Sequence, residues 1–206
     1  MGSSLFKKFY VGLSLLSLMA SVFLFQNCGS GSGSDNSASP TTTAPAQKYI
    51  FSTSGPYLTC NFGGLAGADS LCNMHAQAAN LSGNFKAWLS DDTNNAKDRI
   101  ADVGPWYLVG SSTLVARNLA TLELGSLQGN TSADENGNAI GSSANTAWTG
   151  TGPNGLKDTG NNCSNWTAIA GSAYVVDINS PSLAGVHFGV GNPSLPYVAR
   201  LICIQQ

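Results

Sequence analysis

Residues 66–90 read AGADSLCNMHAQAANLSGNFKAWLS, and the hydrophobic period changes within them. Up to Asn80, the residues Leu71, Cys72, His75, Ala76 and Ala79 recur at three- and four-residue spacing. That spacing predicts a helix over Ala66–Asn80, capped by Asp69 or Gly67. From Phe85 to Ser90 apolar and polar residues alternate, as they do along a half-buried strand. Outward from this pair, Lys48–Cys60 (KYIFSTSGPYLTC) reads as a strand that ends in the turn Asn61–Gly64, and Asp91–Arg99 reads as polar loop. Trp106–Val109 and Leu114–Leu119 are short strand or turn segments, followed by a long stretch rich in Gly, Asn and Ser. Apolar segments return at Ala147–Thr149, Tyr174–Val176 and His187–Val190, and the chain closes on a strand over Tyr197–Ile204 that carries Cys203.

The 206 residues are 42% hydrophobic and only 10% charged, enough for one globular domain with a real core. At the N-terminus Lys7 and Lys8 precede the apolar run Val11–Phe25, about fifteen residues where a membrane-spanning helix needs ~20. It reads as the core of a removable signal segment over residues 1–27. Leu24-Phe25-Gln26-Asn27-Cys28-Gly29 resembles a bacterial lipobox, in which the cysteine is lipidated and becomes the first mature residue. Phe25 and Asn27 depart from the small residues usual there. Several acyl chains on Cys28 would anchor the protein almost permanently. Gly29, where an Asp would favour inner-membrane retention, points to the outer membrane.

Residues 29–46, GSGSGSDNSASPTTTAPA, hold no aromatic and no large aliphatic side chain. Residues 28–46 are therefore expected to form a lipidated, flexible tether spanning about 25 Å as a coil, ahead of a domain over residues 47–206. Without Lys7 and Lys8, seven basic residues face eleven acidic ones, a net charge of −4. No basic stripe is present, which disfavours nucleic acid, heparin-like polyanions and anionic lipid headgroups as partners.

Setting Cys28 aside leaves Cys60, Cys72, Cys163 and Cys203, an even number in an oxidising compartment. Four cysteines allow three pairings. Their spacing is too wide for a zinc knuckle, and the chain has only two histidines, so no metal cluster is expected.

Five blocks carry a resemblance. They are Gly64–Asp69 with Cys72, Leu81–Ser90, Trp148–Gly150 with Gly152–Gly155, Cys163 with Trp166, and Leu201–Ile204. In this order they resemble the endostatin domain at the end of collagens XV and XVIII, and an endostatin-like family of bacterial lipoproteins, over roughly Ile50–Ile204. The resemblance implies an α+β, C-type-lectin-like fold: a mixed, mainly antiparallel sheet with one or two helices and long loops. It also implies that the helix cysteine pairs with the last strand, Cys72 with Cys203. The cysteine that endostatin carries before its last strand is replaced here by Ser194, Leu195 and Pro196. Because the first and last strands of that fold are antiparallel neighbours, a Cys60–Cys163 bridge is expected to take its place.

The resemblance does not bring endostatin's metal or heparin chemistry with it, because the matching zinc histidines and the basic surface are missing. Gly152-Pro153-Asn154 and Asn165-Trp166-Thr167 likewise lack the carboxylates with which sugar-binding C-type lectins hold calcium. Asp134-Glu135-Asn136-Gly137-Asn138 starts like a calcium loop but lacks its closing glutamate, leaving Ca²⁺ as the one cofactor to consider.

No nucleophile elbow, His-Glu-x-x-His motif or phosphate loop occurs, and His75 and His187 sit at apolar-face positions, so no catalytic residue is assigned. The candidate ligand-binding set is Asp134, Glu135, Asn136, Asn138, Asn154, Asp158, Asn161, Asn165 and Trp166, polar loop residues beside an aromatic ring. The expected function is adhesion through a protein or glycan ligand; the alternative is a structural envelope protein with no diffusible ligand. Three structural outcomes discriminate. Exposed amides and aromatics mark binding, buried tryptophans mark a structural role, and a His–carboxylate pair in a cleft marks catalysis.

Overall fold

A computed structural model describes residues 47–169, 171–188 and 198–206. The signal segment, Cys28, the tether and the positions Ser194–Tyr197 lie outside the described residues. The domain is α+β, with mainly antiparallel sheets and few helices. Its first sheet has five strands in the order β2-β8-β1-β3-β4: β1 (Lys48–Ser52), β2 (Phe85–Ala87), β3 (Trp106–Leu108), β4 (Leu114–Ala116) and β8 (Ile202–Gln205). Only the β1–β3 pair is parallel. The second sheet has three antiparallel strands in the order β5-β6-β7: β5 (Thr146–Trp148), β6 (Ala173–Asp177) and β7 (Val186–Phe188).

Strand periodicity explains the core. Alternate side chains of a strand leave opposite faces, and here both faces of the first sheet are covered. Phe51, Phe85, Ala87 and Cys203 point into a core with the helix α1 (Gly64–Ala78), whose buried face is Ala68, Cys72 and Ala76. Ile50, Ile202 and Ile204 point the other way, toward Trp88, Trp106, Val115, Leu122, Ile178 and Leu183. Two disulfides fix the layers: Cys72–Cys203 joins α1 to β8, and Cys60–Cys163 joins the loop after β1 to a turn at residues 163–166. They close separations of 131 and 103 residues, each worth roughly 4 to 5 kcal/mol in the chain-entropy model.

Several element boundaries differ from expectation for identifiable reasons. β1 stops at Ser52 because Thr53 folds onto the Gly55 carbonyl, and Tyr57 rejoins the sheet through an isolated bridge to Ala199. β2 ends at Ala87 because the Leu89 N–H turns back to the Ala87 carbonyl. Asp91–Arg99 is not all loop: Ala96–Arg99 forms one helical turn, α2. In the strand or turn segment Leu114–Leu119, Leu114–Ala116 forms β4 and Leu119 opens a short helix, α3 (Leu119–Glu123), capped by the Asn118 side chain. The last strand starts at Ile202, with Ala199 and Arg200 in isolated bridges.

The helix begins two residues earlier than expected, after Gly63, which takes a left-handed φ of 78° and provides no side-chain cap. Neither expected cap serves as one. Asp69 instead receives both oxygens' worth of bonds from Arg99 Nη2 at 2.7 Å each, and a third from the Ala87 N–H at 2.9 Å. Gly67 is needed for space, since a Cβ there would lie 1.7 Å from the Phe62 carbonyl oxygen. Gly67→Ala is therefore expected to cost about 3 kcal/mol or more through overpacking against backbone, read as a lower urea midpoint than that of a control Ser70→Ala.

Candidate functional site

The loop Asp134–Asn138 forms a tight turn closed by a bridge between Ala133 and Ala139. Asp134 Oδ1 accepts from the backbone N–H groups of Asn136 and Asn138, both at 2.9 Å, and Oδ2 accepts from the Asn138 side-chain amide. Asp134 and Glu135 are buried, while Asn136 and Asn138 are exposed. The Asp134 carboxylate oxygens thus already accept hydrogen-bond donors and close an Asx turn. Among the described residues no three His, Cys, Asp or Glu side chains are grouped to hold a metal ion.

Glu135 is aimed inward. Its Oε2 accepts from the Ser54 N–H at 2.8 Å, and its Oε1 accepts from the Ser54 hydroxyl and from His75 Nδ1 at 2.8 Å. The other ring nitrogen of His75 lies 3.0 Å from the Tyr57 hydroxyl. Burial pushes the Glu135 carboxyl upward, but the bonds from Ser54 and His75 outweigh it and hold it below its ordinary value. Burial, and then the Glu135 charge, raise the Tyr57 phenol above its ordinary value.

This is the kind of His–carboxylate pair that would mark catalysis, and hydroxyl groups flank it on both sides. The phenol facing Nε2 is made harder to ionise. Ser54, the other hydroxyl, gives its proton to Glu135. Arg200 completes the cluster by donating to the carbonyls of Thr53, Ser54 and Ala144. The network ties α1, the end of β1, the Asp134–Asn138 turn and the approach to β8 into one end of the domain.

The second expected loop lies against a segment that the sequence reading treated as solvated. Asp92 Oδ1 accepts from the Gly160 N–H at 3.0 Å and from Asn162 Nδ2 at 2.7 Å, and the Asp92 N–H donates to Asn165 Oδ1 at 2.8 Å. The bonds from Gly160 and Asn162 hold the Asp92 carboxyl below its ordinary value. Asp91 closes its own turn by accepting from Thr93 and Asn94. Asp158 accepts from Asn161 Nδ2 at 2.6 Å and from the phenol of Tyr174, whose ionisation it makes harder. Asn95 joins in by accepting from the Lys157 N–H. Asn94, Asn154, Ser164 and Asn165 are exposed along this surface.

Its backbone is unusual. Cys163, Ser164, Asn165 and Trp166 all have φ between 51° and 62°, so four consecutive residues, none of them glycine, form a left-handed turn. Each such residue costs about 1 to 2 kcal/mol. The turn persists because its ends are fixed. Cys163 is bonded to Cys60, and the Trp166 indole is fully buried, donates to the Ser90 carbonyl at 2.8 Å and stacks on Phe62. Asn162 accepts from the Asn165 N–H between them.

The candidate residues therefore divide between two places. Asp158, Asn161 and Asn165 share the surface with Asp92, and Asn154 is exposed on the preceding turn. Asp134 and Glu135 are buried and their carboxylates accept hydrogen bonds from within the domain. Trp166 is fully buried, and Trp88, Trp106 and Trp148 are buried as well. Ser54, Tyr57, Asp92 and Arg200 join these residues as partners that the sequence did not single out. Their signal was slight: Asp92 follows Asp91 in a polar run, and Arg200 interrupts an apolar strand.

Because the folded pKa of Glu135 lies below its ordinary 4.5, its stabilisation is present above that pH and is lost as pH falls below it, through the lowered folded value. Glu135→Gln is expected to lower stability by about 1 to 2 kcal/mol at neutral pH. It should also make the decline of the melting temperature over that acid window shallower than in the parent protein.

No curated protein matches the chain. The family model described as a protein of unknown function (DUF1554) matches residues 56–178, a stretch that takes in α1, Glu135 with its partners His75 and Tyr57, the left-handed turn and β6. Since that stretch is more than half of the 206 residues, the chain belongs to this family.

Proposed function

We propose that this chain is an outer-membrane lipoprotein, anchored through lipidated Cys28, whose C-type-lectin-like and endostatin-like domain is a binding module for a protein or glycan ligand in adhesion. The observation that carries the reading is the exposed amide surface on the left-handed turn. Asn165 and Ser164 stand at the surface on a strained backbone held from both ends, and Asn94, Asn154, Asp158 and Asn161 lie on the loops around it. Strain that the surrounding structure over-determines is characteristic of ligand-contact sites. Side chains already fixed by hydrogen bonds lose little freedom on binding. The fold assignment is supported by the antiparallel pairing of β1 with β8 and by the Cys72–Cys203 bridge from helix to last strand.

Binding is non-catalytic in this reading, because the His75–Glu135 pair is closed by Tyr57 and Ser54. It is also calcium-independent in this reading, because Asp92 Oδ1 and both Asp134 oxygens already accept donors. The second reading, a structural envelope protein, draws on the burial of all four tryptophans.

The mature chain, with both bridges formed, is expected to bind saturably to a component of a glycan array or a matrix-protein panel, equally with calcium and with chelator. Asn165→Ala and Asp158→Ala should each weaken that binding about tenfold. Binding abolished by chelator would overturn the calcium-independent reading, and no binding to either panel would favour the structural role. Metabolic labelling with palmitate should mark the chain in the outer-membrane fraction, and Cys28→Ala should remove the label.

A further inference from the structure

We propose that the Cys60–Cys163 bridge is a redox-sensitive latch on the left-handed turn, opened by a dithiol reductant under conditions that leave Cys72–Cys203 closed. The two bridges sit in different mechanical settings. Cys72 is within the regular helix α1 and Cys203 within β8, between two neighbouring strands, and both are fully buried. Exposing that bridge means lifting the helix off the sheet, which is global unfolding. Cys60 and Cys163 are only 1% exposed themselves, but Thr59, Asn61, Ser164 and Asn165 on either side of them are exposed. A local opening of surface loops reaches them, and such openings cost far less than global unfolding.

The strain acts in the same direction. Cys163 has φ 51° and is the first of the four left-handed residues. While the bridge is closed, Cys60 and the bond from the Phe62 N–H to the Trp166 carbonyl hold the turn at both ends. Cutting the bridge releases the Cys163 end, so the reduced form recovers backbone energy that the oxidised form stores. Strained and surface bridges are the reducible ones.

In the step itself, one thiolate of the dithiol attacks a sulfur of the bridge and forms a mixed disulfide, and the second thiol then displaces the remaining protein sulfur. Two electrons and two protons pass to Cys60 and Cys163, which leave as thiols, and the donor leaves as its own disulfide. The turn then loses the template that sets Asn162 and Asn165 against Asp92. That this change alters ligand binding rests on the function proposed above; the opening of the bridge does not.

The test uses the folded full chain and dithiothreitol as the probe. The protein is incubated under native conditions with increasing reductant, trapped with iodoacetamide and mapped by mass spectrometry. Cys60 and Cys163 should be alkylated at least tenfold faster than Cys72 and Cys203. Ser164→Gly, which removes the left-handed penalty at an exposed position, should slow reduction of Cys60–Cys163 severalfold and leave Cys72–Cys203 unchanged. Equal alkylation of the two pairs, earlier opening of Cys72–Cys203, or a Ser164→Gly protein with unaltered rates would overturn the latch. Because the readout needs no ligand, a failed binding screen and a failed latch remain separate results.

Discussion

The hydrogen bonding and cross-linking of the C-terminal segment hold this domain together. Every residue from Ala199 to Gln205 is buried. β8 lies between β2 and β1, so both its edges are paired, and its alternate side chains reach both cores. Cys203 binds the helix, the Gln205 side chain accepts from the Tyr49 N–H, and its backbone carbonyl accepts from the Trp106 indole at 2.7 Å. Ahead of the strand, Arg200 exchanges backbone bonds with β5, accepting from the Trp148 N–H and donating to the Thr146 carbonyl, so the same segment connects the two sheets. The last residues of the chain thus complete both layers, and the long-range order of the domain depends on contacts distant in sequence, such as Tyr49–Gln205 and Cys72–Cys203.

That dependence explains the concentration of buried charge at one end. Where β1 stops, its next residues leave the sheet and their carbonyls need donors. Arg200 supplies them to Thr53, Ser54 and Ala144, and burial lowers its pKa while Asp134 and Glu135 raise it. A buried guanidinium without nearby carboxylates would cost several kcal/mol. Glu135 answers that charge and also takes the Ser54 and His75 donors, so one carboxylate settles several obligations at once. An acid–base pair placed this way resembles catalytic machinery in outline, yet each of its oxygens and ring nitrogens already has a partner.

Period and residue type made some of this legible in the sequence. The three- and four-residue spacing around Cys72 located α1 within two residues, and alternation located β2. The Cys72–Cys203 and Cys60–Cys163 pairs came from resemblance, since spacing alone left three pairings open. The left-handed turn was not legible, because nothing in Cys-Ser-Asn-Trp announces positive φ; the conformation is imposed by a bridge and a buried indole that only the tertiary fold brings to bear. Asp92 was hidden for a similar reason. Its donors, Gly160 and Asn162, lie about seventy residues away, and a carboxylate in a polar run looks solvated until they arrive. Trp166 was ambiguous because an aromatic among amides fits a binding loop as well as a core anchor.

The buried tryptophans and the exposed amides answer different questions. Trp166 contributes no face to a ligand, but its burial is what allows Asn165 to stay at the surface in a conformation that an unsupported loop would abandon. The buried ring and the strained turn go together here: the indole N–H donates to the Ser90 carbonyl at the end of the left-handed run. A purely structural domain could close the same connection with a right-handed or glycine-containing turn at lower cost. Four non-glycine residues kept at positive φ, under a disulfide and beside an exposed cluster of amides, are better accounted for if the position of those amides matters.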